Sequence, residues 1–363
     1  MTRKPSRSVL LFGGAFDPVH NGHIRLLSAA RQRINPDVTL VVPTCDEPAH
    51  KPPTLFPAEQ RLALLKAALK KTEIAFWDFE IRKQRPAYTW ETLAAAKRRW
   101  PGSRFYLLIG SDNVKDIPRW RHPQKILNDA LLTLVIGRRP GIPVKSLPGR
   151  AIVLRGIFPA VSSRLIRKLL LEPGKRSRAA AMIPKAVRPL LDDWPGRKAL
   201  VNAYIKERLP ESRYRHSLAV AKLAVELSAI HGINPDKAEL AALGHDASRV
   251  HERFRNLHEA VAHGRRSAAL IRRLLALKDK DVLEAICGHT VGIPGMGRLA
   301  QLIYVADLAG YDRAFSQAEH VRRIARKDLR EACREAVAVK FRYLIDDRQK
   351  IYPGSTLFWN SLI

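Results

Sequence analysis

The chain has 363 residues, of which 46% are hydrophobic, and it carries a formal net charge of +30. This length suggests two domains with apolar cores of their own. No apolar run approaches the roughly eighteen residues that a membrane span requires. The basic amino terminus leads directly into a strand pattern, so we expect no signal peptide. The three cysteines of the chain are too scattered for a disulfide framework or a zinc cluster, so we expect a cytoplasmic protein.

The excess of basic residues has three readings. It could attract nucleotide polyphosphates, bind nucleic acid, or reflect a compositional bias toward arginine. No RNA-binding signature accompanies the charge, so we expect no nucleic-acid partner and no membrane partner. The sequence leaves a homo-oligomer open.

The first half alternates short apolar runs with helical patterns. The predicted strands cover residues 8–12, 38–43, 73–79, 104–110, 131–137 and 151–157. The predicted helices cover residues 22–34, 58–70, 90–99 and 162–171. This alternation predicts a Rossmann-like α/β domain, with a parallel sheet covered by helices on both faces. Ligands of such folds bind beyond the carboxyl ends of the strands.

Residues 13–23, with the sequence GGAFDPVHNGH, lie between the first predicted strand and the first predicted helix. The glycines let the backbone turn tightly and approach a ligand. His20 and His23 are three residues apart, so they share one face of the first helical turn. A helix amino terminus also offers unpaired N–H groups to an anion. The run therefore favours a polyphosphate site, the alternative being a Gly-Gly turn with incidental histidines.

Further segments follow this run in a characteristic order. They are Pro43, Pro48-Ala49-His50-Lys51, Arg85-Pro86-Ala87-Tyr88-Thr89, Ile109-Gly110-Ser111-Asp112, Trp120, Arg138-Arg139-Pro140-Gly141 and Val161-Ser162-Ser163-Arg164-Leu165-Ile166-Arg167. With the HxGH signature of residues 20–23, they resemble the nucleotidyltransferase superfamily. Within it, they are similar to the nicotinate-nucleotide adenylyltransferases over residues 8–190.

The resemblance implies adenylyl transfer from ATP to nicotinate mononucleotide, which yields deamido-NAD and pyrophosphate. The acceptor phosphate is already ionised near neutral pH, so the protein only aligns the substrates and stabilises charge. His20 and His23 would then bind the triphosphate, Lys51 would add a mobile positive charge, and Arg167 would hold the β- and γ-phosphates. Mg²⁺ would accompany ATP, held largely by phosphates and water.

The same resemblance assigns the remaining contacts of this domain. The implied ATP-binding residues are Gly13, Gly14, Phe16, Asp112, Ser162 and Ser163. The implied pyridine-nucleotide residues are Tyr88, Thr89 and Trp120. Trp120 could instead be a packed aromatic residue, and Tyr88-Thr89 could merely start a helix. Arg164 stands where the family usually has a small hydroxyl residue, and we assign no role to the basic turn 138–141.

Proline and glycine are dense in residues 172–198, which indicates a domain boundary. We predict a first domain over 1–191, a linker over 192–199 and a second domain over 200–363. The patterns of the second domain are helical, with apolar residues three and four apart, and predict an all-α helical bundle.

The second domain carries histidines and aspartates that suit divalent metals. The predicted ligands are His216, His245, Asp246, His263, His289 and Asp307. Six ligands exceed what one metal ion needs when water sites stay open, so we expect two ions, Fe or Mn. We interpret His231, His251 and His258 as residues outside this set. The order of the six resembles the HD-domain metallophosphohydrolases.

Local segments narrow this second resemblance. They are Glu207-Arg208-Leu209, Tyr214-Arg215-His216-Ser217, Cys287-Gly288-His289-Thr290-Val291-Gly292, Pro294-Gly295-Met296, Tyr304-Val305-Ala306-Asp307 and Phe358-Trp359-Asn360. They are similar to the HD-type symmetrical diadenosine tetraphosphate hydrolases over residues 200–362. This implies metal-dependent hydrolysis of dinucleoside polyphosphates, diadenosine tetraphosphate giving two ADP.

The chain departs from that family at two places. Arg249 replaces a frequent lysine, and residues 309–312 replace a usual Glu-Pro-Asn step. Arg249 and Arg313 would bind the hydrolase substrate. Two alternatives stay open: the HD domain could sense nucleotides or hydrolyse a different phosphate, and the first domain could prefer nicotinamide mononucleotide. Tyr88-Thr89 and Trp120 argue against a pantetheine-phosphate or cytidylyl acceptor.

Overall fold

We describe a computed structural model of the chain. It covers residues 7–46, 53–70, 72–83, 85–142, 144, 149–156, 158–251 and 257–363, with backbone alone at 257 and 258. The chain forms two compact units. The second unit comprises Leu170–Arg176 and Asp192–Ile363, and the first comprises the described residues up to Leu169 together with Ser177–Leu191. Within the described residues, each helix is too short or too polar to cross a membrane.

The first unit is built on one six-stranded sheet, in which every pairing is parallel. Its strands are β1 (Ser8–Gly14), β2 (Val38–Pro43), β3 (Ala75–Phe76), β4 (Arg104–Gly110), β5 (Leu132–Gly137) and β6 (Ala151–Val153). Their spatial order is β3-β2-β1-β4-β5-β6. The central strands are buried because helices cover both faces, which explains their nearly continuous apolar sequences. The predicted parallel α/β fold is confirmed.

Nine helices belong to the described residues of this part of the chain. They are α1 (Asn21–Ile34), α2 (Ala58–Ala68), α3 (Phe79–Arg82), α4 (Thr89–Arg99), α5 (Ser111–Val114), α6 (Gln124–Leu127), α7 (Ser163–Leu170), α8 (Arg176–Ala181) and α9 (Arg188–Asp192). Short 3₁₀ turns cover Ile117–Arg119 and Lys185–Val187. The four predicted helices are present as α1, α2, α4 and α7. The others are too short for a helical period to show in the sequence.

The strand order reverses direction at β1, which pairs with β2 on one side and β4 on the other. A parallel sheet has its ligand crevice at such a reversal, beyond the carboxyl ends of the two strands. β1 ends at Gly14 and β4 ends at Gly110, so both glycine positions border that crevice. A Cβ atom at Gly110 would lie 2.3 Å from an Asp112 carboxylate oxygen, so a side chain there would displace that carboxylate.

A buried arginine in α2 ties together the loops at this edge. The Arg61 side chain is fully buried and donates to four backbone carbonyl groups. These acceptors are Phe56, Ala15, Thr44 and Cys45, at 2.9, 2.6, 2.7 and 3.0 Å. Its guanidinium also pairs with Asp46 at 3.2 Å. Arg61 therefore fixes the loops after β1 and β2 relative to α2, and nothing in its local sequence pattern distinguishes it from a solvated arginine.

We expect Arg61→Met to lower the free energy of unfolding of the first unit by roughly 3 kcal/mol or more, because four buried carbonyl groups lose their donor. Urea unfolding followed by tryptophan fluorescence measures this, since four of the six tryptophans lie in the first unit. Arg33→Met, at an exposed position of α1, is the matched control. Equal stability of the two variants would contradict the assignment.

The described residues of the second unit fold as a helical bundle, as predicted. Its helices are α10 (Trp194–Arg208), α11 (Glu211–Ile230), α12 (Pro235–Gly244), α13 (Leu257–Leu275), α14 (Lys280–Gly288), α15 (Arg298–Ala309), α16 (Ser316–Ala325), α17 (Leu329–Asp346) and α18 (Pro353–Leu362). α12 and α15 are apolar on most sides, which marks them as the centre of the bundle.

The predicted linker over 192–199 is wrong, because α10 begins at Trp194. The Asp193 side chain caps this helix by accepting the Gly196 N–H at 2.8 Å. Pro195 lies in the first turn, where a missing N–H costs nothing. The proline and glycine that indicated a linker are thus the start of a helix.

Candidate functional sites

His20 and His23 cap the amino terminus of α1 reciprocally. Nδ1 of His20 accepts the His23 N–H, and Nδ1 of His23 accepts the His20 N–H, both at 3.3 Å. Their rings stack with centroids 3.6 Å apart. Because each Nδ1 is an acceptor, the proton of each neutral imidazole lies on Nε2. Both side chains therefore present an N–H donor, and Nε2 of His20 is buried with no protein partner among the described residues.

Both histidines are neutral at pH 7. Burial, reinforced by Arg139, lowers the pKa of His20 to about 4. Burial, His20 and Arg139 hold the pKa of His23 well below its usual range. Arg139 belongs to the basic turn to which the sequence assigned no role. Its Nε lies 3.1 Å from Asp112 and its N–H donates to Ser111 Oγ at 2.9 Å, so Arg139 adds a fixed positive charge beside the histidines.

The first turn of α7 packs against the segment before His20. Arg167 donates to the Asp17 carbonyl at 2.7 Å and pairs with the Asp17 carboxylate at 3.2 Å. Ser163 Oγ donates to the Pro18 carbonyl at 3.1 Å, and Ser162 Oγ caps α7 by accepting the Leu165 N–H at 3.2 Å. The structure thus brings Arg167, Ser162 and Ser163 to the histidine loop.

Asp17 is a residue that sequence reasoning missed. Its carboxylate accepts the N–H groups of Leu55 and Phe56 at 2.8 and 3.0 Å, in addition to Arg167. It therefore joins three segments of the crevice. Arg164, the departure noted in the sequence, is exposed. Lys51 lies outside the described residues.

Gly14 and Phe16 pack closely against each other at the end of β1. A Cβ atom at Gly14 would lie 3.2 Å from the Phe16 ring. Phe16 has φ of 50°, a left-handed conformation that is rare for a bulky residue and is typical of functional loops. Its buried ring meets His23 edge to face, with centroids 5.0 Å apart. Phe16 therefore helps to fix the orientation of the His23 ring.

Tyr88, Thr89 and Trp120 lie at the same carboxyl edge of the sheet, at the start of α4 and after the turn that follows β4. Glu91 holds the first segment by accepting the Tyr88 N–H at 3.0 Å. A hydrogen bond from Arg85 lowers the pKa of Glu91 to about 2. The Arg121 guanidinium lies 5.0 Å from the Tyr88 ring centroid. Since Trp120 precedes Arg121 directly, the structure brings the two predicted pyridine segments together.

The low pKa of His20 predicts a loss of stability in acid. The unfolded chain has the ordinary pKa of 6.5 and the folded chain about 4, so between these values the unfolded chain binds more protons. The first unit should lose about 3 kcal/mol through this residue as pH falls from 6.5 to 4, and nothing more below 4.

His20→Asn retains a capping side chain and should reduce this loss in urea titrations at several pH values. His122→Asn is the matched control, because His122 is exposed and its φ of 53° suits asparagine. An unchanged pH dependence in His20→Asn would contradict the assignment.

In three histidines of the second unit, Nδ1 donates a hydrogen bond, whereas in His20 and His23 it accepts one. Nδ1 of His245, His263 and His289 donates to the carbonyl group three residues earlier, at 2.6, 2.6 and 2.8 Å. The proton of each neutral imidazole therefore lies on Nδ1, and Nε2 carries a lone pair. His245 and His289 follow the ends of α12 and α14, and His263 lies in α13. The three Nε2 atoms converge between these helices.

Carboxylate oxygens of Asp246 and Asp307 lie close to the Nε2 atoms of the histidines. Asp246 Oδ1 lies 3.1 Å from Nε2 of His263 and 3.6 Å from Nε2 of His289, and those two nitrogens are 2.8 Å apart. Asp307 Oδ1 lies 3.0 Å from Nε2 of His216 and 3.7 Å from Nε2 of His245. All six predicted ligands are brought together. Five of them form two overlapping groups, His216-His245-Asp307 and His245-Asp246-His289, and His263 adjoins the second group through Asp246 and His289.

These groups fit divalent cations. Nε2 of His245 and Oδ1 of Asp246 are buried and have no hydrogen-bond partner among the described residues. Burial lowers the pKa of His245 to about 4. Burial opposes ionisation of Asp246, yet the pKa of its carboxyl lies well below the usual range, and Arg249 donates to its Oδ2 at 3.1 Å. Neutral imidazoles and ionised carboxylates are the states that bind metals, and facing lone pairs are stable when a cation lies between them.

Basic side chains surround the aspartates. Arg249 donates to Asp246 Oδ2 at 3.1 Å, so it is engaged with a predicted ligand. Lys340, which sequence reasoning missed, lies 3.9 Å from Asp307 Oδ2 and 3.8 Å from the Tyr304 ring centroid. Burial lowers the pKa of Lys340. Arg313 lies in the loop after α15, and His231 is engaged elsewhere, with Nε2 2.5 Å from the Ala325 carbonyl.

Two family models match the chain. Residues 11–169 match the cytidylyltransferase-like family, and residues 213–338 match the HD domain. The chain thus joins a nucleotidyltransferase unit to an HD unit, which confirms the two classes indicated by the motifs.

Named relatives agree with both halves. The chain is 26% identical over 315 residues to the "Probable nicotinate-nucleotide adenylyltransferase/Ap4A hydrolase" of Mycoplasma genitalium, covering 83% of this chain and 87% of that protein. It is 32% identical to the "Bis(5'-nucleosyl)-tetraphosphatase, symmetrical" of Bacillus subtilis, covering 44% of this chain and 95% of that protein. It is 32% identical to the "Probable nicotinate-nucleotide adenylyltransferase" of Bacillus licheniformis, covering 44% of this chain and 84% of that protein. The chain belongs to the nicotinate-nucleotide adenylyltransferase family and to the symmetrical bis(5'-nucleosyl)-tetraphosphatase family.

Proposed function

We propose that the chain is a bifunctional enzyme with one active site in each unit. The first unit transfers adenylyl from ATP to nicotinate mononucleotide and releases deamido-NAD and pyrophosphate. The second unit hydrolyses diadenosine tetraphosphate symmetrically to two ADP. The observation that carries this proposal is the opposite hydrogen bonding of the two histidine sets, which makes one set donors to phosphate and the other set ligands of metal.

In the first unit, the Nε2–H groups of His20 and His23 donate to phosphate oxygens of ATP. A neutral donor in a buried crevice stabilises charge that develops on the transferred phosphate, and the acceptor phosphate attacks without a protein nucleophile. Arg167 and Lys51 neutralise the departing pyrophosphate. Mg²⁺ supplies further charge neutralisation when it enters with ATP.

The remaining residues of the first site bind the two nucleotides. Gly13, Gly14, Ser162 and Ser163 leave room and donors for the triphosphate, and Asp112 accepts a ribose hydroxyl. Tyr88, Thr89 and Trp120 receive the pyridine nucleotide. The nearby guanidinium of Arg121 favours the carboxylate of nicotinate over the uncharged amide of nicotinamide.

In the second unit, the six ligands His216, His245, Asp246, His263, His289 and Asp307 would hold two divalent ions, Fe or Mn. Such ions lower the pKa of water and polarise phosphoryl oxygens. The residues of the chain position the substrate and neutralise charge: Arg249 and Arg313 bind the polyphosphate, and Lys340 adds positive charge beside Asp307.

Two variants separate the activities. We expect His20→Ala to lower kcat/KM for deamido-NAD formation by about 100-fold or more, because it removes a donor to the transferred phosphate, and to leave diadenosine tetraphosphate hydrolysis unchanged. His245→Ala should abolish diadenosine tetraphosphate hydrolysis and leave deamido-NAD formation unchanged. Chromatography of products from ATP with nicotinate mononucleotide, and from diadenosine tetraphosphate, measures both rates.

Each variant is the folding control for the other. Loss of both activities in one variant, or of neither, would contradict two separate sites. Equal kcat/KM with nicotinate and nicotinamide mononucleotides would overturn the nicotinate assignment alone.

A further inference from the structure

Asp312 occupies an unusual position beside the histidine cluster of the second unit. Its Oδ2 lies 2.7 Å from Nδ1 of His216. The other three histidines of the cluster bond through Nδ1 to backbone carbonyl groups of their own helices. His216 instead depends on a side chain 96 residues further along the chain. Asp312 lies in the segment where the sequence departs from the usual Glu-Pro-Asn step.

The bond determines which nitrogen of His216 faces the cluster. A carboxylate only accepts, so Asp312 keeps a proton on Nδ1, and Nε2 is the nitrogen left for a metal ion to bind. That Nε2 points toward Asp307 Oδ1, 3.0 Å away, and both atoms belong to the group that includes His245. A carboxylate behind an imidazole fixes the ring and raises its strength as a metal ligand.

The loop that carries Asp312 is held at its start. Arg322 donates to the carbonyl groups of Ala309 and Gly310 at 2.8 and 3.0 Å. A Cβ atom at Gly310 would lie 2.7 Å from Asp312 Oδ1, so glycine is needed for the carboxylate to take this position.

Tyr311 anchors the middle of the loop. Its hydroxyl donates to Glu226, which also accepts Arg326 Nε at 2.8 Å. The Lys222 ammonium lies 5.1 Å from the centroid of the Tyr311 ring. These contacts bind the loop to α11 and α16, so the position of Asp312 is imposed by the surrounding structure.

We propose that Asp312 is a positioning residue for the metal ligand His216, and that Tyr311 acts through it by fixing the loop. The inference rests on the metal site of the proposed hydrolase and deepens it. It assigns this role to a residue outside the six ligands.

The test measures Mn²⁺ affinity of the metal-free full chain by competition with a chelator, with no nucleotide present. We expect Asp312→Ala to bind Mn²⁺ about 10- to 100-fold more weakly. Asp312→Asn keeps an acceptor for Nδ1–H and should recover most of the affinity. Asp346→Ala, an exposed aspartate of α17, should match the parent. Circular dichroism checks that each variant is folded.

Parent affinity in Asp312→Ala, or an Asn variant as weak as the Ala variant, would overturn the positioning role. Failure of the parent chain to bind Mn²⁺ or Fe²⁺ would instead overturn the metal site of the proposed function, so the two failures are distinguishable.

A double-mutant cycle tests the loop. Tyr311→Ala should weaken Mn²⁺ binding when Asp312 is present and have no further effect in the Asp312→Ala background, because both changes act on the same bond. Additive losses from the two substitutions would overturn the role assigned to Tyr311.

Discussion

The hydrogen bond at Nδ1 decides what each functional imidazole of this chain can do. At the start of α1, the backbone donates to Nδ1, so His20 and His23 face the crevice with N–H groups. In the second unit, Nδ1 donates to a carbonyl group and Nε2 faces the cluster with a lone pair. The same residue type therefore serves phosphate in one unit and metal in the other.

For His20, His23, His245 and His289, helix ends impose this difference. The first N–H groups of a helix lack partners, so a histidine at that end becomes an acceptor at Nδ1. The last carbonyl groups lack partners too, and His245 and His289 follow the ends of their helices. The surrounding structure keeps these ends in place: Arg61 and Asp17 fix the loops of the first crevice, and loop 310–313 fixes His216.

Patterns confined to a short stretch of chain could be predicted. The alternation of strands and helices predicted the parallel sheet, and Gly13-Gly14 with His20 and His23 indicated a crevice at a strand end. The metal group spans 91 residues from His216 to Asp307, and it was predictable because the order of its histidines and aspartates resembles that of the HD-domain enzymes. Only for His20 and His23 is the spacing along the chain also the spacing in the structure.

Contacts between distant segments could not be predicted. Arg61, Arg139 and Lys340 resemble solvated basic residues until the fold brings carbonyl groups, histidines or Asp307 to them. Asp312 is 96 residues from His216, and no local period links the two. The error at residues 192–199 has a different cause, because proline and glycine are typical both of linkers and of the first turn of a helix.

The most direct test of the two histidine chemistries is the response of both activities to removal of transition metals. The chain is treated with a chelator, supplied with Mg²⁺ alone, and assayed with ATP plus nicotinate mononucleotide and with diadenosine tetraphosphate. We expect full deamido-NAD formation and no ADP until Mn²⁺ or Fe²⁺ is added. Undiminished hydrolysis in the stripped protein, or adenylyl transfer that requires the transition metal, would contradict it.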